Sequence, residues 1–115
     1  MNRAPIFPLV LGLVATVAHG QQQARIVHYH QNDIVSIRAR MHYTTLIELP
    51  SSEEIMEVAT GDKDFWIIDA VGNYCFLHPA QAGIHSDLNL ITNKGNVYSF
   101  LLDDDETAEP DLKVV

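Results

Sequence analysis

From Arg25 onward the sequence falls into short runs of alternating or β-branched residues, with turn residues interrupting them about every 8–12 positions. This pattern constrains the fold more than any other feature. An amphipathic helix needs apolar residues three and four apart. Glu54 to Thr60 comes nearest to that, through Ile55, Val58 and Ala59, but so short a run between turn signals suits a strand better. Ile34 to Arg40 alternates most cleanly, with Val35, Ile37 and Ala39 on one side and Ser36, Arg38 and Arg40 on the other. That is the pattern of a strand with one wet face.

The remaining runs follow the same logic. Arg25 to His30 reads as a first strand closed by Asn32-Asp33, and Tyr43 to Leu49 as one stopped by Pro50-Ser51-Ser52. Gly61-Asp62-Lys63-Asp64 is a turn, where glycine tolerates positive φ and aspartate bonds its own backbone. Phe65 to Val71, the most apolar run, is expected as a central strand, paired with Tyr74–His78 across the tight turn Gly72-Asn73. Pro79 ends that hairpin and Ala80 to Ser86 reads as a loop. A second hairpin joins Asp87–Thr92 to Asn96–Leu102 across Asn93-Lys94-Gly95, with Tyr98, Phe100 and Leu102 opposite Val97, Ser99 and Leu101. About eight short, mostly antiparallel strands predict an all-β fold, a sandwich or a small barrel.

At 115 residues the chain holds one domain. In front of it, Arg3, the apolar stretch Ile6 to Val17 and the small residues of Ala18-His19-Gly20 read as a cleavable signal peptide over residues 1–20. The apolar run is shorter than the roughly 20 residues that span a bilayer. The domain is then expected over 21–102. Asp103, Asp104, Asp105, Glu106, Glu109 and Asp111 make residues 103–115 an acidic linker or disordered tail. The formal net charge is −8, and no Lys/Arg cluster offsets it, so direct binding to a phosphate backbone is not expected.

Chemistry-bearing residues are scattered. His28 and His30 share a strand face and, with Asp33, His42, His78 or His85, are candidate metal ligands, although exposed strand histidines explain them better. Ser36, Ser86 and Ser99 lie in no nucleophile elbow. The carboxylate pairs Glu53/Glu57 and Asp62/Asp64 sit near turns, where charges are mostly solvated. Cys75, the one cysteine, lies in the apolar Tyr74-Cys75-Phe76-Leu77 and reads as a buried structural residue. Trp66 reads as a core anchor, with a ligand-stacking platform as the alternative. No catalytic residue, metal or cofactor is expected.

The order of features matches a known family. Tyr29, Asn32-Asp33-Ile34-Val35-Ser36-Ile37, Thr45-Leu46-Ile47-Glu48-Leu49-Pro50 and Glu53/Glu54-Ile55 lead to Gly61-Asp62 and Trp66, followed by Pro79, Asn89-Leu90, Thr92, Tyr98 and Phe100. Over about residues 25–102 this series resembles the amino-terminal domain of the TrbG/CagX family, periplasmic components of type IV secretion and conjugation machines. The resemblance implies a β-sandwich in the outer-membrane core complex, present as a ring of many copies and packed against a TrbI-like scaffold protein. It implies no activity or cofactor. It places Gly61 and Asp62 in a turn that fixes two strands, and Trp66 and Tyr98 in the core. Family members continue into a carboxy-terminal β domain where this chain stops at Val115, so contact with the family's small lipoprotein is not expected of it. The competing expectation is a free periplasmic ligand-binding module, with a concave site around Trp66 or the 80–86 loop.

Overall fold

A computed structural model describes residues 21–115, so the signal-peptide expectation lies outside the described residues. Eight strands form: β1 (Ile34–Ala39), β2 (Thr45–Glu48), β3 (Ile55–Thr60), β4 (Trp66–Val71), β5 (Tyr74–Pro79), β6 (His85–Thr92), β7 (Val97–Asp104) and β8 (Lys113–Val114). They make two four-stranded sheets, ordered β1-β7-β6-β3 and β4-β5-β2-β8. We call them the first and second sheet. The β1–β7 and β2–β8 pairs are parallel and the other pairs antiparallel. The fold is an all-β sandwich.

Alternation places the core. Val35, Ile37 and Ala39 of β1, Leu88 and Leu90 of β6, and Phe100 and Leu102 of β7 are buried on the first sheet. Ile47 and Leu49, Trp66, Cys75, Leu77 and Val114 meet them from the second. Both hairpins turn through left-handed glycines, Gly72 at φ 60° and Gly95 at φ 79°. The β5 and β6 strands run to Pro79 and from His85, so the loop between them is shorter than 80–86.

Four expectations need correction. Arg25–His30 is not a regular strand. Its start pairs with the chain's last residues, Arg25 N–H on Lys113 O at 2.8 Å and Val27 N–H on Val115 O at 2.9 Å, and the rest crosses toward β1. Phe65–Val71 is not central: β4 is an edge strand of the second sheet.

Residues 103–115 are not a disordered tail. The first two residues complete β7, and the others fold back to add β8 beside β2. Its acids are used as acceptors. Asp111 takes the Arg38 N–H at 2.8 Å and the Arg25 guanidinium at 3.1 Å, and Glu106 takes the Met41 N–H at 2.9 Å. Burial of Val114 then seals the edge of β2.

The fourth correction concerns Gly61, which is not among the residues with positive φ. It is needed for space: a Cβ there would lie 2.9 Å from Asp87 Oδ1 and 3.2 Å from Ser86 Oγ. Asp87 Oδ1 accepts the Gly61 N–H at 3.0 Å, which ties the end of β3 to β6. Gly61→Ala should therefore cost about 1 kcal/mol, the worth of one such bond, read as a lower urea midpoint. The loss should be smaller when Asp87 is already alanine, because the clash and the bond are then gone.

Candidate interaction surface

The two outer faces differ in chemistry. On the first sheet the outer rows interleave Ser36, Arg38, Ser99, Asn89, Asp87 and Glu57 with Ile34 (64% exposed), Val97 (48%) and Leu101 (51%). On the second, the outward residues of β4 and β5 are mainly apolar: Ile67 (52% exposed), Val71 (62%), Tyr74 (40%) and Phe76 (40%). The register sets Val71 opposite Tyr74, Asp69 opposite Phe76, and Phe76 opposite Leu46 of β2. Asp69 and Glu48, opposite Tyr74, are the acids of this patch; His78 lies opposite Ile67, and Lys113 Nζ reaches Glu48 at 4.0 Å. Contiguous apolar patches of this kind mark contact surfaces more often than single exposed residues do. The patch also borders β4, whose outer edge presents unpaired backbone groups, a ready template for another strand.

The sequence did not reveal this face. Trp66-Ile67-Ile68 is apolar at every position, which reads as burial on both sides. Only one side is buried: Trp66 is 1% exposed, while Ile67 stands in solvent. The signal was there in Phe76 alternating with buried Cys75 and Leu77, on a partner strand with one wet face.

The other candidates resolve individually. His30 Nδ1 lies 3.4 Å from Asp33 Oδ2 and His85 pairs with Asp103, both exposed. Among the described residues no three metal-ligating side chains converge. The Ser99 hydroxyl donates to Asn89 at 2.6 Å. Cys75 is fully buried, and burial followed by the charge of Asp69 pushes its thiol up to about 12, which leaves it inert. Asp62 caps the turn through its carbonyl, which accepts the Phe65 and Trp66 N–H groups at 3.3 and 3.1 Å.

Glu53 and Glu57 do not form a carboxylate pair. Glu57 is exposed on β3, whereas Glu53 is buried and accepts from Tyr98 Oη at 2.5 Å, Thr92 Oγ1 at 2.7 Å and Asn96 Nδ2 at 2.7 Å. Burial pushes the Glu53 carboxyl up, but those three donors and the charge of Lys94 outweigh it and hold it below the usual range. Burial and the adjoining Glu53 push the Tyr98 phenol up to about 12. Tyr98 is half-buried and packs against the core from its margin. Its ring packs on Tyr29, with centroids 4.9 Å apart, and the Tyr29 hydroxyl accepts the Ser99 N–H at 3.1 Å. Beside this pair a groove of about 590 Å³, lined by Val27, Leu49 and Phe100 among others, opens between the sheets. It lies away from Trp66, whose burial excludes the stacking platform.

The described residues thus form an all-β sandwich with a largely apolar outer face beside the unpaired edge of β4. Comparison with known proteins narrows that description. The sequence model of the CagX family, described as conjugal transfer protein, matches residues 22–115, and the chain belongs to that family. The match runs through the acidic segment, as the fold of that segment requires. The type IV secretion system protein PtlF of Bordetella pertussis is 32% identical over 115 residues, covering 80% of this chain and 42% of PtlF. PtlF homologs of Bordetella parapertussis and Bordetella bronchiseptica match to the same extent. The chain therefore spans about two fifths of the length of these relatives.

Proposed function

We propose that this chain is a structural, non-enzymatic component of a type IV secretion or conjugal transfer machine, exported to the periplasm and built into the outer-membrane core complex. The observation that carries this reading is the uncovered face of Ile67, Val71, Tyr74 and Phe76 beside the open edge of β4, in a chain of the CagX family. The occupant of that face is an extended segment of a TrbI-like scaffold subunit, with basic residues placed between apolar ones. Charge argues for it: Asp69 lies within the patch outside the ion pairs of the described residues, and a chain of net charge −8 repels a second copy of itself. Copies arranged in a ring meet through other surfaces.

Co-purification with the TrbI-like subunit tests the proposal. Phe76→Glu sets a carboxylate opposite Asp69, so it should cost about 1 kcal/mol by urea unfolding and leave the chain folded. It should weaken capture of the scaffold at least about tenfold, the equivalent of 1.4 kcal/mol. Leu101→Glu, on the outer face of the first sheet, should leave capture unchanged. Equal capture by both variants would overturn the assignment of the face. A parent chain that stays monomeric and ignores the scaffold would overturn the function.

A further inference from the structure

Beyond the proposed docking face, the end of β7 carries a feature that assembly does not explain. Asp104 is only 4% exposed. Its Oδ2 accepts the Gly83 N–H at 2.6 Å, while its Oδ1 is buried and has no hydrogen-bond partner among the described residues. The neighbouring side chain is another carboxyl, that of Glu106 two residues on, whose Oε2 accepts the Met41 N–H at 2.9 Å. Two ionised carboxylates are acceptors only, so they make a hydrogen bond only when a proton lies between them. We propose that Asp104 and Glu106 share one proton and act as a pH-sensitive clasp on the segment that carries β8 to its sheet.

The surroundings decide which carboxyl holds the proton. Burial raises the affinity of Asp104 for it, and the neighbouring Glu106 adds to this against the opposing Gly83 and Met41 amides. Glu106 is held ionised by the Met41 amide, by Asp104 itself, and by Arg40 and His42 from the β1–β2 turn. From the loop before β6 the contact is the Gly83 amide, and the neighbouring charges of β6 and β7, His85 and Asp103, pair with each other. The clasp thus joins three places: the end of β7, the β1–β2 turn and the loop before β6. Immediately downstream, Asp105 N–H donates to Ala39 O at 3.0 Å and Asp111 N–H to Arg38 O at 2.7 Å, before β8 pairs with β2.

The sign follows from linkage. A carboxyl with a raised folded-state pKa binds its proton more tightly in the folded chain than in the unfolded one. Its stabilisation is complete below the ordinary carboxyl range and is lost as pH rises through the raised value. Above it a second, buried charge faces Glu106 and the segment loosens.

Amide exchange of the full chain, followed over residues 105–115 and corrected for intrinsic rates, tests this at about pH 3.5, below the ordinary value of 3.8, and at about pH 8. Protection of that segment should fall several-fold at the higher pH in the parent. Asp104→Asn keeps an oxygen for Gly83 and supplies an amide N–H to Glu106 at every pH, so its protection should be the same at both. Glu106→Gln donates to Asp104 without a shared proton and should likewise flatten the difference. Equal protection of the parent at both pH values, or an unchanged fall in both variants, would overturn the clasp.

Discussion

Trp66→Ala is expected to remove about 3–5 kcal/mol of stability, the range for deleting a fully buried large aromatic side chain. Small domains hold about 5–15 kcal/mol in all, so this variant should unfold at far lower urea or be partly unfolded without it. Trp66 heads the largest fully buried side chains of the described residues, at 1% exposed. Its indole N–H has no partner, so the loss is one of packing alone. Trp66→Phe should therefore recover most of the stability, costing under about 1.5 kcal/mol. The transitions must be followed by circular dichroism, because Trp66 is the chain's one tryptophan. Equal losses in both variants would show that the indole is held by something other than packing.

That contrast between Trp66 and Ile67 also marks how far the sequence could be read. The hairpins were legible because their turns are local chemistry: Gly72-Asn73 and Asn93-Lys94-Gly95 adopt the left-handed backbone their glycines permit. Burial of Trp66 and Cys75 was legible from apolar neighbours. The place of β4 at an edge was not, since strand order is set by pairings between distant segments, and the outer face stayed hidden with it. The acidic segment misled for another reason. Composition implies solvation, yet Asp104, Glu106 and Asp111 accept backbone N–H groups from Gly83, Met41 and Arg38 and so hold the segment down. A charge used as an acceptor looks, in sequence, like a charge left in water.

Glu53 is the strongest case of that kind. Its three donors lie 39 to 45 residues away, on β6, β7 and the turn between them, so no local pattern could reveal it. It stands in the connection from β2 to β3, which crosses from one sheet to the other, and its carboxylate ties that crossing to the second hairpin. Glu53→Ala leaves a buried threonine hydroxyl and a tyrosine hydroxyl without their acceptor. A bond to a charged group contributes about 1.5–3 kcal/mol, and the Asn96 donor can turn to water, so a loss of about 3 kcal/mol is expected. Glu53→Gln keeps one acceptor but turns an amide N–H toward a donor, and should cost less. The charge can be separated from the shape by pH. Because the folded-state pKa of Glu53 is lowered, its contribution is full above the ordinary value of 4.5 and fades as pH falls through the lower folded-state value. Urea midpoints of the parent and Glu53→Gln should therefore converge as the solution is made more acid than about pH 4.5. A gap that stays constant with pH would mean that the three donors hold a shape and not a charge.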